Sequence, residues 1–529
     1  MSNVASFKLI LLLLIAIIGL ELLAKRFRLP PAAALIVGGA ALAFVPGLPA
    51  VALDPELALV VFLPPLLMNG AYYIAWDDFK HHFRGIMLLA IGAVTFTTLL
   101  VGYCTHLLLP GLPWGCCFAL GAIVSPPDAI AAKAVLERVK LPGKVMVLLE
   151  GESMLNDASG LVLYRFAVAA ALTGAFSAVD AVANFSLLCI GGVVVGLVIG
   201  YAAIKLIKAL SEPFLVIITS VLPAWICYIA AEELDVSGVM ATVTYGMMLG
   251  WHQHDVVSAT VRTQGVAFWR VLTFMLESLV FVFIGLSLRG VLDRIGGIER
   301  AFSEFAPAVT LVVGVVLISR FIWIFATDSV SALIATFLKK GGFQLDWRAA
   351  IIKSWAGMRG VVTLAAALAL PTSLPGRDFI LVTSFVVILV TVLIQGTSIG
   401  WLIALLNMKK DAQGEHVYLT EPQCWALLEA AQFSAVEARA YDSDGKLLHP
   451  RLLEQYGYRA RISDLHRNAP ELPVDARTAH YDIILAAIAA GREALLKLHR
   501  SRQLNDEMLH MLERDLDLQE IAAIHSRGD

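Results

Sequence analysis

Between Phe7 and Leu406 the chain alternates long apolar runs with short polar loops, and the runs have the length a bilayer demands. A helix rising about 1.5 Å per residue needs about 20 apolar residues to cross a hydrocarbon core about 30 Å thick. Thirteen runs meet that need, at 6–25, 31–49, 56–74, 85–109, 114–137, 145–173, 183–209, 213–232, 236–251, 265–290, 304–337, 347–371 and 378–407. The pattern therefore predicts an all-α polytopic membrane protein with 13 transmembrane helices. From Met408 onward the character changes: the chain is charged, keeps a helical period and contains no run long enough to span. Tyr481–His499 and Asn505–Ala523 read as amphipathic helices with acidic and basic residues interspersed. Two domains are expected, a transmembrane domain over 1–407 and a helical C-terminal domain over 408–529.

Composition agrees with the pattern. Of 529 residues 58% are hydrophobic and only 16% charged, with a mean hydropathy of +0.77. Soluble chains average about 25% charged residues. The distribution of basic residues sets the orientation. Alternate loops carry Lys25, Arg26 and Arg28; Lys80 and Arg84; Arg138, Lys140 and Lys144; Lys205 and Lys208; Arg262 and Arg270; Lys339, Lys340 and Arg348; and Lys409 and Lys410. The intervening loops hold few, with 291–303 the exception. This asymmetry predicts an N-terminus outside, a C-terminal domain in the cytoplasm, and a multi-pass protein of the inner (plasma) membrane. The basic residues that follow the first run at once predict a retained helix rather than a cleaved signal peptide. The six cysteines show no metal-ligand or disulfide spacing and read as small core residues. No cofactor and no nucleic-acid partner are expected; the partner is membrane lipid.

Two runs are interrupted. Span five is broken at Ser125, Pro126, Pro127 and Asp128, and span twelve at Gly357, Met358, Arg359 and Gly360. Proline strips a helix of backbone hydrogen bonds and leaves carbonyls free at membrane depth. The two breaks lie seven spans apart, so the interrupted segments cross in opposite directions. That arrangement predicts inverted repeats, spans one to six and eight to thirteen, with a site near the midplane.

Charges inside the spans mark the site. A carboxylate at the centre of a membrane helix costs about 2.5–3.5 kcal/mol on the insertion scale, and chains retain one mainly to handle an ion or a proton. Asp128, Asp157, Glu277, Arg320 and Arg359 all fall within spans. Glu277 and Arg320 lie at matching depth in neighbouring spans, which predicts a buried structural ion pair. Arg359 is expected to neutralise helix C-terminal ends facing the second break, as a counterpart to Asp128 facing helix N-terminal ends at the first. Asp157 has no assigned countercharge. Burial without a dedicated cation disfavours its ionised form, so it can take a proton on one side and exchange it for a cation on the other.

A group bearing either H⁺ or a cation, never both, is the minimum machinery of antiport. Ser153, one turn before Asp157 on the same face, offers a hydroxyl oxygen, and hard monovalent cations prefer oxygen ligands. The Pro127 carbonyl offers another. Asn156 is expected to tie its helix to neighbouring groups, and helix–helix hydrogen bonding is the plain alternative for Ser153 as well. His81, His82, His252 and His254 fall in loops and read as solvated. Two other classes compete with this reading. A transporter of a small organic solute would need aromatics lining a pocket. An intramembrane hydrolase would use Ser153 as nucleophile, but the chain has no intramembrane histidine to serve it.

Four runs carry a resemblance: Gly121–Asp128 (GAIVSPPD), Glu150–Asp157 (EGESMLND), Glu277–Gly285 (ESLVFVFIG) and Ser354–Gly360 (SWAGMRG). In order and at family-like spacing they resemble the sodium–proton exchanger group of monovalent cation:proton antiporters, bacterial NhaP-like branch, over roughly residues 10–407. The resemblance implies a homodimer whose protomers carry the ion by an elevator-type movement. It also implies electroneutral one-for-one exchange where an Asn-Asp pair stands, here Asn156 and Asp157. Na⁺ is the expected cation, with Li⁺ or K⁺ as alternatives. Two positions depart from the family pattern: Pro127 replaces a threonine in the first break, and Asn69 stands in span three where many members have an acid.

Overall fold

The computed structural model describes residues 3–27, 29–46, 55–74, 76–128, 143–174, 178–297, 299, 304–337, 346–406, 419, 421–441, 446–467, 474–501 and 506–527. Within them the chain is helical; the one β-type contact is an isolated bridge between Tyr441 and Leu447. The chain divides into two compact units, Met1–Asp411 and Ala412–Asp529.

The first unit contains α1 (Asn3–Phe27), α2 (Pro31–Ala43), α3 (Pro55–Tyr72), α4 (Trp76–Met87), α5 (Val94–Leu108), α6 (Trp114–Val124), α7 (Gly143–Thr173) and α8 (Ala178–Ala209). It continues with α9 (Pro213–Glu233), α10 (Gly238–Val256), α11 (Ala259–Ile295), α12 (Ala306–Phe337), α13 (Trp347–Trp355), α14 (Val361–Leu368), α15 (Arg377–Val390) and α16 (Gly396–Leu406). By length and composition, six helices among the described residues can cross a membrane: 76–108, 182–209, 213–233, 259–295, 306–333 and 377–406. α7 is 31 residues long, but it carries Lys144, Glu150, Glu152, Asp157 and Arg165, which dilute its apolar character.

Helices end at caps rather than where apolar runs end. Ser237 caps α10, which starts two residues inside the run expected at 236–251, and Ser258 caps α11, which starts six residues before the run expected at 265–290; each accepts a hydrogen bond from the backbone of Met240 or Val261. The run expected at 85–109 begins nine residues earlier, at Trp76. A π-helical turn at Leu88–Ala93 joins α4 to α5, and another at Thr391–Gln395 joins α15 to α16. The run expected at 114–137 is helical to Val124 and opens at Ser125. Its second half, with Lys133, lies outside the described residues.

Packing follows the rules of a lipid solvent. α8 turns Leu187, Ile190, Val194, Val198 and Tyr201 outward, while Gly192 and Gly196 meet the backbone of α10. α2 and α11 approach closely at Gly39 and Gly285, where any side chain would strike the facing carbonyls. Without a hydrophobic force between helices, such close backbone contact supplies the attraction.

The second unit consists of two antiparallel pairs: α17 (Glu421–Glu437) with α18 (Pro450–His466), and α19 (Val474–Arg500) with α20 (Asp506–Arg527). Arg459 donates to Glu429 at 2.6 Å in the first pair, and Arg492 contacts Asp517 and Glu520 at 2.5 and 2.6 Å in the second.

Candidate functional site

The two interrupted segments meet and complete each other. α6 ends at Val124, and helix ends leave carbonyls without intrahelical partners. Arg359, from the second break, supplies them. Its Nε donates to the Val124 carbonyl at 2.9 Å, one terminal nitrogen donates to Ser125 at 3.3 Å, and the other donates to Gly357. The guanidinium thus lies at the C-terminal end of α6. The exchange runs the other way too: the backbone N–H of Asp128 donates to the Met358 carbonyl at 2.6 Å. The Asp128 carboxylate lies against Gly360, immediately before α14, at the helix start of the second break; the remainder of its own span lies outside the described residues.

α7 lies across this crossing. Asn156 is fully buried, and its Nδ2 donates to the Pro127 carbonyl. That carbonyl, expected to be available to an ion, is thus engaged by an amide. The Asn156 Oδ1 is buried and accepts no hydrogen bond among the described residues. Gly160 presses on Pro126, where a side chain would collide with the ring. Between these two contacts in sequence stands Asp157, buried and near enough to Asp128 for their charges to interact. Ser153 is half-buried one turn earlier. Ser159 donates to the Ala90 carbonyl at 2.6 Å, tying α7 to the first π turn. Thr391 of the second π turn accepts the Arg359 backbone N–H at 3.0 Å. Both π turns therefore serve the site, as such turns often do.

One expectation is corrected. Arg320 does not pair with Glu277; its two terminal nitrogens bind the two oxygens of Glu152 on α7 at 2.5 and 2.7 Å. Both side chains are almost wholly buried, whereas Glu277 on α11 is only half-buried. Matching depth placed Arg320 and Glu277 at one level, but α12 turns Arg320 toward α7 and α13. Its Nε donates to the Lys353 carbonyl at 3.0 Å, and Gly357 lets the chain pass, since a side chain there would come within 2.5 Å of the arginine. Glu152 went unrecognised in the sequence although it lies inside the span and one residue before Ser153. A second missed pair is Lys353 with Asp328, at 2.7 Å. Among the described residues no cluster of three or more His, Cys, Asp or Glu could share a metal ion.

A model of the sodium/hydrogen exchanger transmembrane family matches residues 10–405 of the chain, which contain all of these groups. The chain belongs to that family. An Escherichia coli protein described as an uncharacterised Na⁺/H⁺ exchanger is 30% identical over 98% of each chain. A sodium, potassium, lithium and rubidium/H⁺ antiporter of Bacillus pumilus is 34% identical over 69% of this chain and 55% of its own. The solved sodium–proton antiporter MjNhaP1 of Methanocaldococcus jannaschii superposes with a TM-score of 0.59 at 22% identity, covering 76% of this chain and all of that one. The architecture is thus that of a membrane transporter, and the exchanger family model spans both interrupted helices, α7 and the Glu152–Arg320 pair.

Proposed function

We propose that the chain is a secondary antiporter that exchanges one monovalent cation, Na⁺ first, for one H⁺ at Asp157. The observation that carries the reading is a buried carboxylate on a helix held against the two breaks, beside an amide oxygen that accepts no hydrogen bond among the described residues. Family membership supports cation–proton antiport, and the Bacillus pumilus relative's name points to a site that accepts several alkali cations.

In this reading Asp157, the Ser153 hydroxyl and the Asn156 Oδ1 supply oxygens to the cation, and Asp128 adds a second negative charge nearby. Asn156 holds the Pro127 carbonyl, so the break keeps its shape when the ion leaves. Arg359 and the Glu152–Arg320 pair offset the helix ends and charges around the site without competing for the cation. With Asn rather than a second acid beside Asp157, cation and proton share one titrating group, and exchange is electroneutral.

The wider architecture belongs to the same proposal. Residues 1–407 form thirteen crossings built from inverted repeats, in a homodimer of the inner membrane with the N-terminus outside. Transport is by alternating access with an elevator-type movement. Residues 408–529 form a cytoplasmic helical domain. The test is proton flux in reconstituted vesicles, read by dequenching of a pH dye as Na⁺, Li⁺ or K⁺ is added in turn. Wild-type protein should give cation-dependent flux and Asp157→Asn none; flux in that variant at the wild-type level would end the assignment.

A further inference from the structure

Lys353 is held at both ends. Its ammonium meets Asp328 of α12 at 2.7 Å, and its carbonyl accepts the Nε of Arg320 at 3.0 Å. The carbonyl is available because α13 stops at Trp355, so Lys353 belongs to the last turn, whose carbonyls lose their intrahelical donors. The side chain is nearly buried, with Asp328 partly open to the surroundings. A lysine in that setting needs a fixed countercharge. Arg320 and Asp328 lie eight residues apart, about 12 Å along α12. One residue of α13 is therefore clamped to α12 at two points.

The clamp bears on aim. A guanidinium bound through its fork alone can rock about its stem; a third bond at Nε fixes the plane. Arg320 has that third bond only while α13 keeps its register on α12. Its fork grips Glu152, the neighbour of Ser153 and one turn from Asn156 and Asp157.

We propose that Asp328 and Lys353 are a positioning pair: by locking α13 to α12 they aim Arg320 at Glu152 and thereby set the cation affinity of the Asp157 site. The inference rests on the antiport reading given above. Neither residue touches the cation, and their effect reaches it through Arg320, Glu152 and the register of α7.

The test is Na⁺ titration of proton flux in vesicles reconstituted with purified full-length protein. The variants are Asp328→Asn, Lys353→Gln, their double, Lys353→Arg and the exchange Asp328→Lys with Lys353→Asp. The single neutral variants and the double should raise the half-saturating Na⁺ concentration three- to tenfold, with a smaller fall in maximal rate. Lys353→Arg and the exchanged pair should return it to within about twofold of wild type. The double variant strands no charge, so its folding is separable from that of the singles. A folded double variant with the wild-type half-saturating concentration overturns the proposal. Failure of the double to fold assigns the pair to folding alone and overturns it as well. If wild-type protein shows no cation-dependent flux, it is the antiport reading that fails.

Discussion

The carboxylate of Asp128 occupies the space beside Gly360 where any other residue would carry its Cβ. The requirement is one of room, because the Gly360 backbone lies at φ −148°, outside the left-handed region. Gly360→Ala is expected to displace the carboxylate and part the two breaks, at a cost of about 1–3 kcal/mol of overpacking. Exchange should fall at least tenfold, more than the yield of folded protein does. Flux at the wild-type rate would show that Asp128 needs no fixed position.

Breaking the Glu152–Arg320 pair from one side leaves a buried charge alone, which costs about 3–5 kcal/mol. Glu152→Gln and Arg320→Gln should each lower the melting temperature of the purified protein by several degrees, and the double variant should recover part of the loss. Glu277→Gln should lower it less, since the Arg320 fork is already filled. A larger loss from Glu277→Gln than from Glu152→Gln would reverse the assignment of partners.

If proton and cation compete for Asp157 as proposed, the half-saturating cation concentration should rise as pH falls, because protons then occupy the carboxylate the cation needs. With one titrating group, the logarithm of that concentration should rise by at most one for each pH unit lost. A slope approaching two would show that Asp128 takes up a proton together with Asp157. The measurement is cation titration of vesicle flux at pH steps of half a unit.

The proposed electroneutral exchange makes a separate demand. With the potential clamped by K⁺ and valinomycin, the rate of Na⁺-driven proton flux at a fixed pH gradient should stay constant from 0 to about −100 mV. That potential is worth about 2.3 kcal/mol per charge moved, so an electrogenic cycle would respond clearly. A rate that changes with potential would replace one-for-one exchange by a cycle with two protons.

The breaks and their charges were legible because they violate a pattern. Pro126, Pro127, Gly357 and Gly360 interrupt apolar runs, and Asp128, Asp157 and Arg359 stand where lipid-depth helices exclude charge. Arg359 drew notice by its place at a break, and its guanidinium donates to the carbonyls of Val124 and Ser125. The partner of Arg320 was not legible. Hydropathy gives depth along the membrane normal but not the direction in which a helix turns a side chain, and Glu152 lies 168 residues away. The π turns at 88–93 and 391–395 were equally silent, since one extra residue in a turn leaves the apolar run intact.

The partnership between Arg359 and Val124 spans 235 residues of chain. At a synthesis rate of about 5–20 residues per second, the exposed end of α6 is made roughly 12–47 seconds before the arginine that satisfies it. Throughout that interval the first break must remain hydrated or sheltered by the insertion machinery, because hydrocarbon offers its carbonyls no donor. The nascent transporter therefore cannot mature one crossing at a time. Its polar centre closes only when the twelfth run is complete, and the growing protein depends on water or a chaperoning channel to reach that point.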